Sequence, residues 1–163
     1  MIGEAPRPVG PAAMALRGAT GDDLDAVMEI MAAAFEPTFG EAWTRSQCAG
    51  ILPMAGVCLR LASRDNRTAG FALMRAIADE AELLLIAVDP RSRKCGVGTA
   101  LVDDFVALTR RSGARRLHLE VRDGNPAIGL YLRAGFALVG RRRDYYRGPD
   151  GQTRDALTLA IDY

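Results

Sequence analysis

A short glycine-containing stretch, SRKCGVGTAL (Ser92–Leu101), has the residue types that bind phosphate. Gly96 and Gly98 follow two cations, Arg93 and Lys94, and stand at the start of a predicted helix. Small residues let the backbone approach a phosphate group, and a helix N-terminus offers free N–H groups with partial positive charge. The stretch therefore predicts a phosphate-binding turn between a strand and a helix.

Three kinds of phosphate-binding loop compete for this stretch. The Walker pattern, G-x-x-x-x-G-K-[ST], does not occur in the chain. The dinucleotide fingerprint G-x-G-x-x-G lacks its third glycine, because Leu101 holds that place, although Glu120 could bind a ribose. The remaining pattern is D-P followed by R-x-x-G-x-G, directly after an apolar strand. A tight turn with structural glycines would explain Gly96 and Gly98 alone, but not the adjacent cations.

This third pattern resembles the acyl-CoA loop of the Gcn5-related N-acetyltransferases, the GNAT superfamily, in which R/Q-x-x-G-x-G/A wraps the pyrophosphate of acetyl-CoA. The segments LHLEVRDGN and LYLRAGF resemble the second half of that family's core. RRRDYYRGPDGQTRDALTL resembles the C-terminus of one subgroup, the bacterial RimI-type ribosomal-protein-alanine N-acetyltransferases. The resemblance implies a mixed α/β (α+β) fold, with a central, mostly antiparallel sheet flanked by helices, and acetyl-CoA as cofactor.

The resemblance also implies which residues contact the cofactor. Backbone N–H groups near Ile86–Val88 would bind the acetyl carbonyl and the pantetheine arm, and the glycine loop would bind the pyrophosphate. The predicted cofactor-binding residues are Ile86, Ala87, Val88, Arg93, Lys94, Cys95, Gly96, Val97, Gly98, Thr99, Asn125 and Tyr131. Cys95 could instead be reactive, since a helix N-terminus lowers a thiol pKa, but a tolerated substitution is the simpler interpretation.

Glu120 is the candidate general base. In RRLHLEV, strand alternation places His118, Glu120 and Arg122 on one face and the apolar residues on the other, so Glu120 can face a cleft. The resemblance implies that this glutamate takes the proton of the acceptor amine through water. A strand-end glutamate paired with an arginine is the alternative, and a structural histidine is the simpler interpretation of His118.

Tyr131 is the candidate general acid, which by resemblance would protonate the CoA sulfur. A phenol of pKa about 10 is reasonably matched to a thiol of pKa about 8.5. A core tyrosine on an amphipathic helix is the alternative. The family spaces its asparagine seven residues before this tyrosine, whereas Asn125 and Tyr131 are six apart, so Asn125 could serve only as a helix N-cap.

Four aromatic residues are candidates for binding the acceptor. RRRDYYRG could bind nucleic acid through cations and aromatics, or it could line a peptide groove. By resemblance, Tyr145 and Tyr146 would shape the slot for a protein N-terminus. Phe39 and Trp43 would form the opposite wall or belong to the core.

The elements that must position these residues follow from hydrophobic periodicity, which predicts the order β-α-α-β-β-β-α-β-α-β-β. The predicted strands are Met14–Arg17, Val57–Ala62, Ala69–Ala76, Ala81–Val88, Arg115–Val121, Ala137–Tyr146 and Asp155–Ile161. The predicted helices are about Thr20–Phe35, Trp43–Ile51, Val97–Arg111 and a short helix with Asn125 as N-cap and Pro126 in the first position. The continuously apolar run ELLLIAV predicts a central strand.

Composition sets the remaining expectations. The 163 residues predict a flexible tail at 1–13 and one domain at 14–163, and a net charge of +1 predicts no strong attraction to nucleic acid or membrane. Three widely spaced cysteines predict neither disulfides nor a metal site. We expect a cytoplasmic protein, monomeric or weakly dimeric, with no direct nucleic-acid or membrane partner.

Three functions remain open from the sequence. The subgroup resemblance favours acetyl-CoA-dependent acetylation of the N-terminal alanine of a small-subunit ribosomal protein, protein 18 being the implied partner. A GNAT enzyme that acetylates a small amine (a polyamine, an aminoglycoside or an amino acid) is the second. A non-catalytic acyl-CoA-binding module is the third, and the presence of both Glu120 and Tyr131 argues against it.

Overall fold

A seven-stranded sheet forms the centre of the computed structural model, which describes residues 13–163. The strands are β1 (Met14–Ala19), β2 (Val57–Arg64), β3 (Arg67–Ile77), β4 (Glu80–Val88), β5 (Arg116–Arg122), β6 (Ala137–Arg147) and β7 (Thr153–Asp162). Their order is β1-β2-β3-β4-β5-β7-β6, and only β4 and β5 are parallel among the paired strands described. The predicted mixed, mostly antiparallel sheet with β4 at its centre is confirmed. The predicted tail, 1–13, lies outside the described residues except for its last one.

Four α-helices connect the strands in the predicted order. They are α1 (Leu24–Ala34), α2 (Arg45–Ile51), α3 (Val97–Arg111) and α4 (Ile128–Arg133). Thr20 and Thr44 each form a capping box, and a 3-10 turn over Gly21–Asp23 separates the first cap from α1. The predicted start of α4 at Asn125 is wrong, because the Asn125 side chain accepts a hydrogen bond from the Ala127 N–H at 2.8 Å and closes a turn first.

The two faces of the sheet carry separate hydrophobic clusters. One cluster joins the buried stripe of α3, with Leu101 and Phe105, to Leu117 and Leu119 of β5. The other joins α1 to the opposite face of β2–β4 and contains Phe71, which is fully buried. The sheet is therefore covered on both faces, which makes its central strands apolar on both sides.

A β-bulge in β4 exchanges the two faces of that strand. Leu73 of β3 pairs with Leu85 and Met74 pairs with Leu83, so Leu84 is the extra residue. Leu83 accordingly belongs to the cluster under α3, whereas Leu84 and Leu85 face the cluster under α1. Without the bulge, side chains along β4 would alternate regularly between the two faces of the sheet. Because of the bulge, each β4 residue after Leu84 points to the opposite face.

Strands β4 and β5 separate directly after this bulge. Their parallel pairing runs from Glu80 with Arg116 to Leu83 with Leu119 and goes no further within the described residues. Beyond that point β4 pairs with β3 alone and β5 pairs with β7 alone. A wedge therefore opens between the carboxyl ends of two central strands, and backbone groups of β4 that point toward β5 have no strand partner there.

Candidate active site

The glycine loop lies between the end of β4 and the start of α3, at the mouth of the wedge. Gly96 is the residue before the helix and has a φ of +83°, a left-handed conformation that strains other residues. A Cβ on Gly98 would lie 3.1 Å from Cδ2 of Leu130 on α4. Both glycines therefore also serve the fold: Gly96 makes the turn, and Gly98 lets α4 pack closely.

The charged residues of the loop are held by specific contacts. Asp89 is 5% exposed and accepts hydrogen bonds from the backbone N–H of Arg91 at 2.9 Å and from its guanidinium at 2.7 Å, which holds the pKa of this carboxyl below its usual range. Arg93 donates to the carbonyl of Ala34 at 3.2 Å, at the C-terminus of α1. Lys94 has a φ of +60°.

These features fit the pyrophosphate and pantetheine of acetyl-CoA. The first N–H groups of α3 have no acceptor within their helix, and the cations Arg93 and Lys94 stand beside them. The bulge and the wedge leave backbone groups of Ile86–Val88 free of a β5 partner. The contacts of the individual loop residues with the cofactor remain predictions.

The candidate base, Glu120, lies on β5 just past the point where β4 leaves it. Its side chain is 18% exposed, and its Oε1 is 2.9 Å from Nε of Arg142, whose side chain is 60% exposed. The pairing with an arginine that we considered as an alternative is thus present in the structure. An ion pair with so exposed a partner is weak and easily opened, so it is compatible with a basic role.

The candidate acid, Tyr131, is 4% exposed on α4, with its ring edge-on to Phe136 at 6.2 Å between centroids. Burial raises the pKa of Tyr131, and the nearby Tyr146 and Glu41 raise it further. The hydroxyl is therefore protonated at neutral pH, and it is a weaker acid than a solvent-exposed phenol.

The two tyrosines of β6 lie in and next to a large bulge of that strand. Arg142 pairs with Ala156 and Tyr146 pairs with Arg154, so three residues of β6 stand opposite Asp155 alone. The rings of Tyr145 and Tyr146 meet edge to face at 5.1 Å. Burial raises the pKa of Tyr146, with further contributions from its neighbours Glu41, Tyr145 and Glu120. Tyr146 therefore faces the candidate base and acid, whereas Tyr145 is 49% exposed.

The other two aromatic candidates are separated from each other. The centre of the Phe39 ring is 3.7 Å from Cζ of Arg122 and 4.9 Å from Cζ of Arg154, so two guanidinium groups stack near this ring. Trp43 packs against the cluster under α1, as the core interpretation expects. The structure thus brings Phe39, and not Trp43, to the β5 end of the site.

A buried ion pair at this end of the site is absent from the sequence predictions. Nε of Arg122 is 2.9 Å from Oε1 of Glu41, and their side chains are only 9% and 11% exposed. Asn125 donates to Oε2 of the same carboxylate at 3.1 Å. Alternation placed Arg122 beside Glu120 on the polar face, but no pattern in the sequence links it to Glu41, 81 residues away.

His118 points to the closed end of the β4–β5 pair and not to the wedge. Its Nε2 is 3.8 Å from Oε2 of Glu82, and this carboxylate raises the pKa of His118 against the opposing effect of burial. Within residues 13–163, no three His, Cys, Asp or Glu side chains are arranged to hold a metal ion. The helices of this same range are all too short or too polar to cross a membrane.

Comparison with known proteins identifies relatives of this arrangement. Residues 24–136 match the model of the acetyltransferase (GNAT) family. The chain is 38% identical over 100 residues to the [ribosomal protein bS18]-alanine N-acetyltransferase of Escherichia coli K12, covering 61% of this chain and 67% of that protein. The Haemophilus influenzae protein of the same name is 36% identical over 96 residues, covering 59% and 66%. Each alignment thus spans about two thirds of the relative's length.

A solved structure extends the likeness to nearly the whole chain. The crystal structure of the ribosomal-protein-S18-alanine N-acetyltransferase from Escherichia coli superposes with a TM-score of 0.81 and 30% sequence identity. The superposition covers 92% of this chain and 94% of that one. The strands and helices around the wedge therefore have the arrangement of an acetyltransferase of known structure.

Proposed function

The chain belongs to the acetyltransferase (GNAT) family, and we propose that it acetylates the N-terminal alanine of the small-subunit ribosomal protein bS18. Acetyl-CoA, the predicted cofactor, is the acetyl donor in this family. The observation that carries the proposal is the superposition on the Escherichia coli S18-alanine acetyltransferase over 92% of this chain. The relatives that match by sequence bear the same name and act on the same residue type.

The proposed chemistry begins with removal of a proton from the acceptor. An α-amine has a pKa of about 7.7–8.0, so most of it is protonated and non-nucleophilic at neutral pH. The Glu120 carboxylate, directly or through water, takes this proton once Arg142 has moved aside. The free amine then attacks the thioester carbonyl, whose oxygen accepts hydrogen bonds from β4 amides in the wedge.

The proposed chemistry ends with departure of the thiol. Bound acetyl-CoA supplies the acetyl group as a thioester, and its sulfur leaves as the amide bond forms. The Tyr131 hydroxyl, which is protonated at neutral pH, gives its proton to that sulfur as the sulfur leaves. The proton taken up by Glu120 returns to solvent. The nitrogen loses a second proton as the amide forms, and this proton passes through water to replace the one that Tyr131 gave to the sulfur.

An assay with matched acceptors tests the proposed function. The purified full chain is mixed with acetyl-CoA and, in separate reactions, the bS18 N-terminal peptide, the same peptide with a blocked α-amine, and a panel of small amines. Mass spectrometry should show one acetyl group on the free peptide only. Acetylation of a small amine but not the peptide would replace the proposed acceptor, and cofactor binding without any transfer would overturn the enzymatic function.

Two variants test the roles of the proposed base and acid. Glu120→Gln and Tyr131→Phe should each lower kcat by about 10²–10⁴-fold and leave the Kd of acetyl-CoA within about twofold, because each removes one proton transfer. Glu80→Gln, at the exposed start of β4, and Tyr163→Phe, at the chain's exposed end, are the matched controls and should keep wild-type rates. Wild-type kcat in both test variants would refute this assignment.

A further inference from the structure

The loop between α1 and α2, residues 35–44 (the connecting loop), carries a buried carboxylate. Glu41 is 11% exposed in its side chain, and its partner Arg122 is 9% exposed. Burying a charge costs free energy unless it is paired and hydrogen-bonded, and removing one partner of such a pair leaves the other uncompensated. The connecting loop is therefore tied to β5 by a contact that is strongly unfavourable to break.

The same carboxylate also reaches the helix of the proposed acid. Its second oxygen accepts from Nδ2 of Asn125 at 3.1 Å, and the Oδ1 of Asn125 accepts from the N–H of Ala127 at 2.8 Å, just before α4. Arg122, on the first oxygen, lies two residues after Glu120 on β5. Glu41 thus joins the strand of the proposed base to the helix of the proposed acid.

The loop is held on its other side by the β6–β7 hairpin. The Phe39 ring contacts the guanidinium groups of both Arg122 and Arg154, and Arg154 also donates to the carbonyl of Thr38 at 3.3 Å. Gly148 approaches the same carbonyl so closely that a Cβ on it would overlap the oxygen. The loop and the hairpin that carries Tyr145 and Tyr146 are therefore in direct contact.

From these contacts we infer that Glu41 is a positioning residue, whose ion pair with Arg122 fixes the connecting loop as a preformed wall of the acceptor slot. The inference rests on the proposed function, since the slot is that of the same site. Each oxygen of Glu41 already accepts a hydrogen bond from the protein, which distinguishes it from Glu120, whose partner is an exposed arginine. Glu41 therefore takes no proton from the acceptor and acts through the loop.

The variant Glu41→Gln tests this inference. It removes the charge that compensates Arg122 and presents an amide N–H₂ to Asn125. We expect the KM of the alanine-starting peptide to rise by about tenfold or more, as expected for a broken buried pair, while the KM of acetyl-CoA stays within twofold. Asp25→Asn is the matched control, because this exposed α1 carboxylate also pairs with an arginine but outside the site.

A measurement without either substrate accompanies the kinetics. Hydrogen exchange of the connecting-loop amides should become faster in Glu41→Gln and stay unchanged in Asp25→Asn. If the Glu41→Gln chain does not fold, Phe39→Leu replaces it as the test variant, because it removes the stacked ring and leaves the ion pair. Hydrogen exchange of the connecting-loop amides should then become faster, but by less than in Glu41→Gln. Adding Arg122→Gln to Glu41→Gln should worsen the peptide KM by less than Arg122→Gln does in the wild-type chain, because the two residues share one ion pair.

The outcomes separate this inference from the proposed function. Unchanged loop exchange together with an unchanged peptide KM in Glu41→Gln would overturn the positioning role. Loss of kcat with unchanged exchange and unchanged KM would overturn it too, by making Glu41 a catalytic group. If the wild-type chain acetylates no alanine-starting peptide, the proposed acceptor is wrong, and the exchange experiment still decides whether Glu41 holds the loop.

Discussion

In the proposed mechanism two cations compete for the Glu120 carboxylate, the Arg142 guanidinium and the protonated amine of the acceptor. In the structure Arg142 is within 2.9 Å and mostly exposed, and its guanidinium also lies 5.2 Å from the Tyr145 ring. The exposed guanidinium can swing into solvent at little cost, because exposed ion pairs contribute about 0–1 kcal/mol. Arg142 thus occupies the position that the proposed mechanism assigns to the acceptor amine.

Replacing Arg142 should therefore strengthen acceptor binding. In Arg142→Met we expect the KM of the bS18 peptide to fall by up to about fivefold, the equivalent of the 0–1 kcal/mol of an exposed pair. Steady-state kinetics at low salt measure it, with Arg143→Met, the neighbouring exposed arginine, as control. A rise in the peptide KM specific to Arg142→Met would show that Arg142 binds the acceptor instead of competing with it.

Single residues also show where sequence patterns stop. Glu120 and Tyr131 could be singled out because each lies inside a short local motif. Glu41 and Arg122 could not be paired from the sequence, because they are 81 residues apart and their contact depends on how the connecting loop folds. The role of Asn125 also depends on the tertiary structure. Its Nδ2 donates to Glu41, and its Oδ1 accepts a hydrogen bond in the turn before α4.

The elements that build the site were predictable in type and order but not in their irregularities. Helix α3 has the predicted bounds, since a glycine precedes it and its apolar stripe is strictly periodic. In β4, however, the run ELLLIAV is apolar at every position between its end residues, so nothing in it marks Leu84 as a bulge. The sequence does not mark the bulge of β6 either, because Arg141–Asp144 are all polar and show no apolar–polar alternation from which a change of register could be read.

The two glycines of the turn into α3 should differ in how much their replacement by alanine destabilises the fold. Gly96 has a left-handed φ of +83°, and the nearest atom to an added Cβ would be Cε of Met14 at 4.0 Å. Gly98 has an ordinary φ, but a Cβ added to it would lie close to Leu130. Gly96→Ala should cost about 1–2 kcal/mol, which for a chain of this size lowers Tm by roughly 2–8 °C. It should also weaken acetyl-CoA binding, because the turn presents the loop amides.

Gly98→Ala is the comparison variant for this turn. The flexible end of Leu130 can move by a few tenths of an ångström, and alanine favours a helix over glycine by about 1 kcal/mol. Its Tm should therefore stay closer to the wild type than that of Gly96→Ala. Thermal melts and calorimetric titration with CoA measure both effects, and equal melting of the two variants would contradict the distinction.

The whole molecule consists of two sets of strands that meet at one short junction. Strands β1–β4 form a continuous antiparallel set and β5, β7 and β6 form another. Between residues 13 and 163, four residue pairs of β4 and β5 are the only strand pairs that join the two sets. One hydrophobic cluster, which contains Leu101 and Phe105 of α3, includes residues of both sets. This division creates the wedge, and it places the stability of the site on a short parallel ladder and on this cluster.

The ion pair of His118 and Glu82 spans this junction and makes stability depend on pH. The two residues are directly opposite in the β4–β5 register, with Nε2 and Oε2 3.8 Å apart. The Glu82 carboxylate raises the pKa of His118 and Glu80 adds to it, whereas burial and Arg116 act in the opposite direction. A folded-state pKa above the unfolded value of about 6.5 stabilises the fold when histidine is protonated.

The sign of the resulting pH dependence follows from that shift. The contribution is complete below about pH 6.5 and is lost as the pH rises through the higher folded-state pKa. Because the pair is partly exposed, its contribution should be about 1 kcal/mol or less, or roughly 2–4 °C in Tm for a chain of this size. The Tm difference between the wild type and His118→Gln should therefore be larger at pH 5.5 than at pH 8.5. Glu82→Gln should remove most of this pH dependence, and a difference that grows toward pH 8.5 would show that the neutral imidazole is the stabilising form at the junction.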